Sequence, residues 1–449
     1  MDRRMLTSLA AYVVQARDIP LAGQTREAAL RCLFDLIVAA AAGHADRGPQ
    51  AVRRVADLMG QGPVPVWFSG RTASALGAAW ANSAAASAQD LDDGHRLARG
   101  HPGAVVIPAA LAVGQARQAS WERILSAIAI GYEVGITIAA ARRSYGNTGT
   151  WGAYAAAATA GALSGTSAAV LEHALAIAGE TAPNQLFASA PPPRDPDPEG
   201  SDVKEGIPWS VVTGIAALHL AEAGHSGPRN ILDSARHYDL QGPLRIGEDP
   251  QICRVYHKLY ACCRHVHAPL EALLGLRAAH DLTGAEAITV ETTSGALRIS
   301  NLTRPANLTD LQYSIPYCLA LALRRGERGL MHLRQDVLHD PAVEALAQRV
   351  SLVLSADLDA RFPQETLARV TVSGSGRRLV SPVTSPRGEA SDPLSWEDLQ
   401  GKARAVTDSL GAPLLGRALQ DLAADLAADR VAGVDGLLAR PLDQIAAQP

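Results

Sequence analysis

The stretch Ser74–Ala116, SALGAAWANSAAASAQDLDDGHRLARGHPGAVVIPAALAVGQA, decides the fold. Its first part, Ser74 to Ala88, is almost entirely Ala and Ser, a composition that favours helix and lets helix backbones approach closely. Its last part, Ala104 to Ala116, reads as an apolar helix. Between them stand Asp90, Asp92, Asp93, His95 and His101. Ionisable groups are costly beside a buried layer, so a functional site is expected there. Acid/base work fits better than metal binding, because no second cluster has ligand spacing. The plain alternative is that Asp90 or Asp92 caps a helix and His101-Pro102-Gly103 forms a turn.

Outward from this stretch the first half reads as helix throughout. Apolar residues recur near the 3.6 period from Thr25 to Ala42, with Gly43 as a stop signal. Further helices are expected at Trp121–Arg142, opened by Ser120, at Tyr154–Leu163, at Ser167–Ala178 and from about Pro208. Ile124–Ala141 is the longest apolar run, but Glu133 in its middle marks it as a buried helix rather than a membrane span. The run from Ala190 to Asp202, APPPRDPDPEGSD, cannot continue a helix and reads as a surface loop or a flap over a site. After about residue 270 the texture changes. Ala287–Thr293 and Ala368–Ser373 alternate as strands, the second running into a hairpin turn at Gly374-Ser375-Gly376. Helices are expected between them at Leu311–Arg324 and Asp340–Leu354, and in the tail from Trp396 and at Leu414–Arg430.

Composition agrees with a helical core. Of 449 residues 47% are hydrophobic and only 4% aromatic, which excludes wholesale disorder and disfavours aromatic-rich sandwiches. The net charge of 41 − 45 = −4 argues against a nucleic-acid partner. Five cysteines without a CxxC spacing argue against a disulfide framework and a zinc ribbon. The N-terminal segment flows straight into amphipathic helix, so a cytoplasmic protein is expected.

A second cluster lies at Tyr256–His267, with Lys258, Arg264, His265 and His267 ahead of an apolar helix. Lys and Arg there suit anion recognition, while a single His is commonly a satisfied core residue. Cys262 and Cys263 read as inert. Lys204 stands at the foot of the Pro-rich run and before a helix N-terminus that attracts anions. Tyr313 reads as the opening of a helix, either in the core or facing a cleft.

These residues carry a family resemblance. Asp90-Leu91-Asp92-Asp93-Gly94-His95 with His101-Pro102-Gly103-Ala104-Val105-Val106-Ile107-Pro108-Ala109-Ala110-Leu111 resembles the signature of the MmgE/PrpD family, which contains 2-methylcitrate dehydratase, cis-aconitate decarboxylase and iminodisuccinate epimerase. The resemblance continues through Gly131-Tyr132-Glu133-Val134, Lys204, the segment Lys258–His265 and Gln312-Tyr313-Ser314-Ile315-Pro316. It implies a mainly α protein with an α+β part: a large all-helical domain from residues 1–266 and 395–449, and a smaller inserted α+β lid domain at 267–394. It implies a homodimer with no cofactor and no metal, and no membrane. The implied substrate is a small di- or tricarboxylate, with Asp90, His101, Lys204, Lys258 and Tyr313 as catalytic residues. Asp93, His95, Arg264 and His265 are expected to bind substrate. Two positions depart from the pattern: Gly146 stands where many members carry a His, and Gly94 where many carry Thr.

The expected reaction is dehydration of a 2-methylcitrate-like acid by proton abstraction next to a carboxylate, with His101 as the foremost acid/base group and Asp90 as orienter or second base. Epimerisation of a small dicarboxylate and cis-aconitate-type decarboxylation use the same site. A non-catalytic carboxylate-binding scaffold is the alternative from another class.

Overall fold

A computed structural model describes residues 4–183, 201–239 and 246–442. The bulk of the Pro-rich run, and with it the expected flap, lies outside the described residues.

The Ala-rich segments fold as an interlocked helical layer: Ala75–Ser87, Gly103–Ala116, Trp121–Ala141, Gly149–Ser164, Ala168–Glu180 and Ile207–Glu222. Small residues make their close packing possible. A Cβ on Gly214 would collide with the carbonyl oxygen of Ala153, so helices 207–222 and 149–164 could not approach as they do with any larger residue. Pro108 sits inside the helix Gly103–Ala116 and leaves the carbonyl of Ala104 without its helical donor. The Ser83 hydroxyl donates to that carbonyl at 2.7 Å, which ties the two arms of the opening stretch together.

The helix Trp121–Ala141 is long and apolar enough to cross a membrane, yet most of it is buried within the fold. Glu133 inside it accepts from the backbone N–H groups of Gly247 and Gln251 at 2.9 and 2.8 Å, which satisfies the buried carboxylate.

Strands β1 (Val64–Val66) and β2 (Arg71–Ala73) form a short antiparallel pair. A four-stranded sheet follows later in the chain, from β3 (Ala287–Thr292), β4 (Val350–Leu354), β5 (Arg369–Gly374) and β6 (Arg377–Val380), in the order β4-β3-β5-β6. β4 runs parallel to β3 and the other pairs are antiparallel, with Ile288 facing Val350 on one side and Val372 on the other. Its alternation buries Ile288, Val290 and Thr292, and β5 packs on the helix Arg264–Ala279. Ser375 and Gly376 at φ of 51° and 71° make the β5–β6 hairpin turn.

Two expectations about elements are corrected. The helix expected at 340–354 is a short helix, Pro341–Ala347, followed by strand β4, because Val350-Ser351-Leu352-Val353-Leu354 pairs along β3. The helix expected at 311–324 is split into Leu308–Gln312 and Ile315–Arg325, since Pro316 and the Ser314 cap start a new helix. Tyr313 therefore lies in the break. The tail helices Trp396–Leu410 and Pro413–Ala427 pack back on the helix Gly23–Gly43.

Candidate active site

Loop 88–102 joins the two helices of the opening stretch and presents their charged residues. Asp90 has φ of 51°, in the left-handed region that Asp tolerates better than most residues, and this turns its carboxylate inward. Paired backbone bonds between Gly94 and Tyr256, at 3.0 and 2.8 Å, fix the loop against the segment that carries Lys258.

Asp90 is 1% exposed and is the hub. Its Oδ1 lies 3.0 Å from Lys258 Nζ, 3.1 Å from Lys204 Nζ and 3.3 Å from His101 Nε2. Lys258 also donates to the Asp90 carbonyl at 2.8 Å. The other ring nitrogen of His101 stands 3.2 Å from Asp92. Lys204 donates to the Tyr313 hydroxyl at 3.0 Å and to Gln312 Oε1 at 3.3 Å, and its ammonium sits over the Tyr313 ring. The structure thus brings together Asp90, His101, Lys204, Lys258 and Tyr313 from distant parts of the chain.

The electrostatics follow from burial opposed by pairing. Burial alone would raise the Asp90 carboxyl, but Lys204, Lys258 and His101 outweigh it and hold it well below the usual carboxylate range. Burial works against a charged Lys258, yet Asp90 holds it above its ordinary value. Burial would likewise lower His101, and Asp92 more than offsets this, so the imidazole keeps its proton to higher pH than a free one. Tyr313 is pushed well up by burial and by Asp90 and Glu205, which keeps it a neutral hydroxyl. Asp90 Oδ2 and Asp92 Oδ1 are buried without a hydrogen-bond donor among the described residues, while Asp92 Oδ2 faces His101 Nδ1. Buried acceptors normally have partners, so this side of the cluster is suited to a ligand with donors.

Asp90, Asp92 and His101 also bring their ligand atoms within 4.8 Å of one another, close enough to share a metal ion. The two ammoniums on Asp90 Oδ1 already supply positive charge there, which favours the acid/base reading over a divalent ion. A cavity of about 480 Å³ reaches the cluster at Lys204 and Gln312 and is lined further out by Asp46, Arg47 and Asp202.

The residues expected to bind substrate each have contacts outside the hub. Asp93 accepts from Gly103 N–H at 2.8 Å and Tyr132 hydroxyl at 2.7 Å, and so does the capping work expected of Asp90 or Asp92. His95 accepts from the Ala98 N–H within its own turn, and burial pushes it down to about 4. Arg264 is held by Glu389 at 2.5 Å and lies over the Tyr256 ring. His265 packs on Phe362 and is likewise pushed down by burial to about 4. Cys263 is raised by burial to about 12, in keeping with an inert thiol.

Asp92, named in the cluster but given no site role there, and Glu205, not singled out at all, also belong to the hub's surroundings. Asp92 holds the second nitrogen of His101. Glu205, next to Lys204, also has a left-handed backbone, with φ of 51°. Its Oε2 accepts from the Thr148 hydroxyl at 2.8 Å, while Oε1 lies 3.4 Å from the Tyr313 hydroxyl and 3.9 Å from His101 Nε2. Thr148 in turn accepts from the His101 N–H at 3.0 Å. The only signal in the sequence is an acid beside a lysine before Gly206. At both departures from the family pattern another side chain fills the room. A Cβ at Gly146 would run into the Arg142 guanidinium, and one at Gly94 into the Tyr256 ring.

A helical layer, a small α+β unit and a buried lysine–carboxylate–imidazole hub together set the class of fold and site. The chain belongs to the MmgE/PrpD family: the MmgE/PrpD N-terminal domain matches residues 7–239 and the C-terminal domain residues 260–427. It is similar to a cis-aconitate decarboxylase-like protein, oryM, of Aspergillus oryzae, 24% identical over 91% of this chain and 92% of that protein. It is also similar to cis-aconitate decarboxylase of Aspergillus terreus, 26% identical over 82% of this chain and 81% of that enzyme.

Proposed function

We propose that this protein is a cofactor-independent lyase acting on a small di- or tricarboxylate, with dehydration of a hydroxy acid as the foremost reaction. The observation that carries the reading is the convergence of Lys204, Lys258 and His101 on Asp90, with Tyr313 bonded to Lys204, which borders a cavity. Lys204 binds a substrate carboxylate and, with Lys258 behind it, stabilises the negative charge that develops when the adjacent C–H is broken. His101, oriented by Asp92, takes that proton. Tyr313, a neutral hydroxyl bonded to Lys204, donates a proton to the leaving hydroxyl. Loss of carbon dioxide instead of water is the second reading, favoured by the names of the relatives.

Proton NMR in heavy water with 2-methylcitrate, cis-aconitate, malate and aspartate tests this. Loss of water or carbon dioxide is the expected result. Deuterium entry without net conversion would replace the lyase by an epimerase. Silence on every acid would defeat the enzymatic reading in favour of a carboxylate-binding scaffold. Near-full turnover by both His101→Ala and Lys204→Ala would defeat the assigned roles.

A further inference from the structure

We infer that Glu205 is a specificity-determining residue that makes this site select dicarboxylates bearing a hydroxyl or ammonium donor over tricarboxylates. The inference rests on the carboxylate-binding reading above and narrows it. Its first basis is the split use of the Glu205 carboxylate. Oε2 is committed to structure, accepting from the Thr148 hydroxyl at 2.8 Å and, at 3.3 Å, from the Thr148 N–H at the start of the helix Gly149–Ser164. Oε1 holds no backbone group: it accepts a long bond from the Tyr313 hydroxyl at 3.4 Å and lies 3.9 Å from His101 Nε2.

The second basis is accessibility. The Glu205 side chain is 18% exposed, against 1% for Asp90 and 0% for Asp92, so it is the least enclosed carboxylate of the cluster. The third is charge. Three carboxylates, Asp90, Asp92 and Glu205, stand against two ammoniums and one imidazole, so even with His101 protonated the cluster has no surplus positive charge. Arg264 does not add to it, since Glu389 already holds its guanidinium. A like charge placed against Glu205 in a partly enclosed site is repelled, whereas a hydroxyl or ammonium there gains an acceptor. Lys204 and Lys258 are the two ammoniums of the cluster, so a third substrate carboxylate has no cation left among these groups.

Calorimetric titration of the purified protein with malate and with citrate tests the inference without turnover. Wild type is expected to bind malate more tightly than citrate. Glu205→Gln keeps an acceptor for Thr148 and removes the charge, so it is expected to shift the malate-to-citrate ratio toward citrate by about tenfold or more. Glu205→Asn, which suits the left-handed backbone, is the second variant, and thermal melts confirm that each is folded. An unchanged ratio in the folded variants, or a wild type that already prefers citrate, overturns the inference while leaving the carboxylate-binding reading standing. Failure of wild type and variants alike to bind either acid overturns that reading, and the inference with it.

Discussion

Two buried aspartates in this molecule each hold lysine, and they differ in how completely the charge is matched. Asp35, in the helix Gly23–Gly43, meets one ammonium, that of Lys402 from the tail, at 2.6 Å. Lys402 makes a second bond to the Leu91 carbonyl at 2.8 Å, and both side chains are closed off from solvent. Asp90, by contrast, takes two ammoniums and an imidazole on a single oxygen, and Lys204 borders the cavity. The one-to-one pair is structural, because it fastens the tail helix to the backbone between Asp90 and Asp92. The hub sets three donor groups on one carboxylate oxygen, so a ligand can claim some of them, at the cost of crowding like charges.

Stability measurements break the comparison most sharply at the closed pair. Lys402→Met strands Asp35 without a counter-ion, and a loss of about 3–5 kcal/mol is expected in urea unfolding. The double variant Asp35→Leu/Lys402→Met is expected to recover most of that loss, because no unpaired charge remains. Full retention of stability by Lys402→Met alone would remove the structural role. At the hub the order reverses. In Lys204→Met, Asp90 retains Lys258 and His101, so stability is expected to change by less than about 1 kcal/mol. Turnover of the substrate found by NMR is expected to fall by about 10²- to 10³-fold, the usual effect of deleting one charge-stabilising donor. Loss of fold in Lys204→Met with unimpaired activity per folded molecule would assign that lysine to structure instead.

The hub side of this contrast is legible in the sequence, the Asp35–Lys402 pair is not, and the difference has a physical cause. Apolar periodicity and alanine content located the helices of the first half, because packing there depends on the pattern itself. Strand β4 was hidden since Val350–Leu354 follows a capped helix and reads as its continuation; only pairing with β3 distinguishes the two. Asp90, His101, Lys204, Lys258 and Tyr313 could be picked out by residue type. Among the adjacent acids, however, the division of labour between Asp92 and Asp93 depends on the left-handed turn at Asp90, which no spacing rule predicts. Lys402 looks like an ordinary solvated residue of an amphipathic helix until the tail folds back on Asp35.

Asp93 is a third buried carboxyl, near enough to Asp92 and to Asp35 of the structural pair to feel both charges. Burial, opposed by its bond from Tyr132 and reinforced by the Asp92 and Asp35 charges, raises its carboxyl from 3.8 to about 7. The folded protein therefore holds a proton on Asp93 that the unfolded chain has already released, over the window from about pH 4 to about pH 7. Stability contributed by that proton is present below the window and declines as the pH rises through it, the opposite sign to Asp90, whose depressed value makes its contribution fade only in acid. Asp93→Asn removes the titration and keeps an acceptor for the Gly103 N–H. Urea unfolding at about pH 5 and pH 8 is expected to show a smaller decline for this variant than for wild type. Equal declines would mean that Asp93 is ionised beside Asp92 and Asp35. Three carboxylates would then share the two lysine-bound regions, and the separation between the structural pair and the hub would have to come from Lys402 and Lys258 alone.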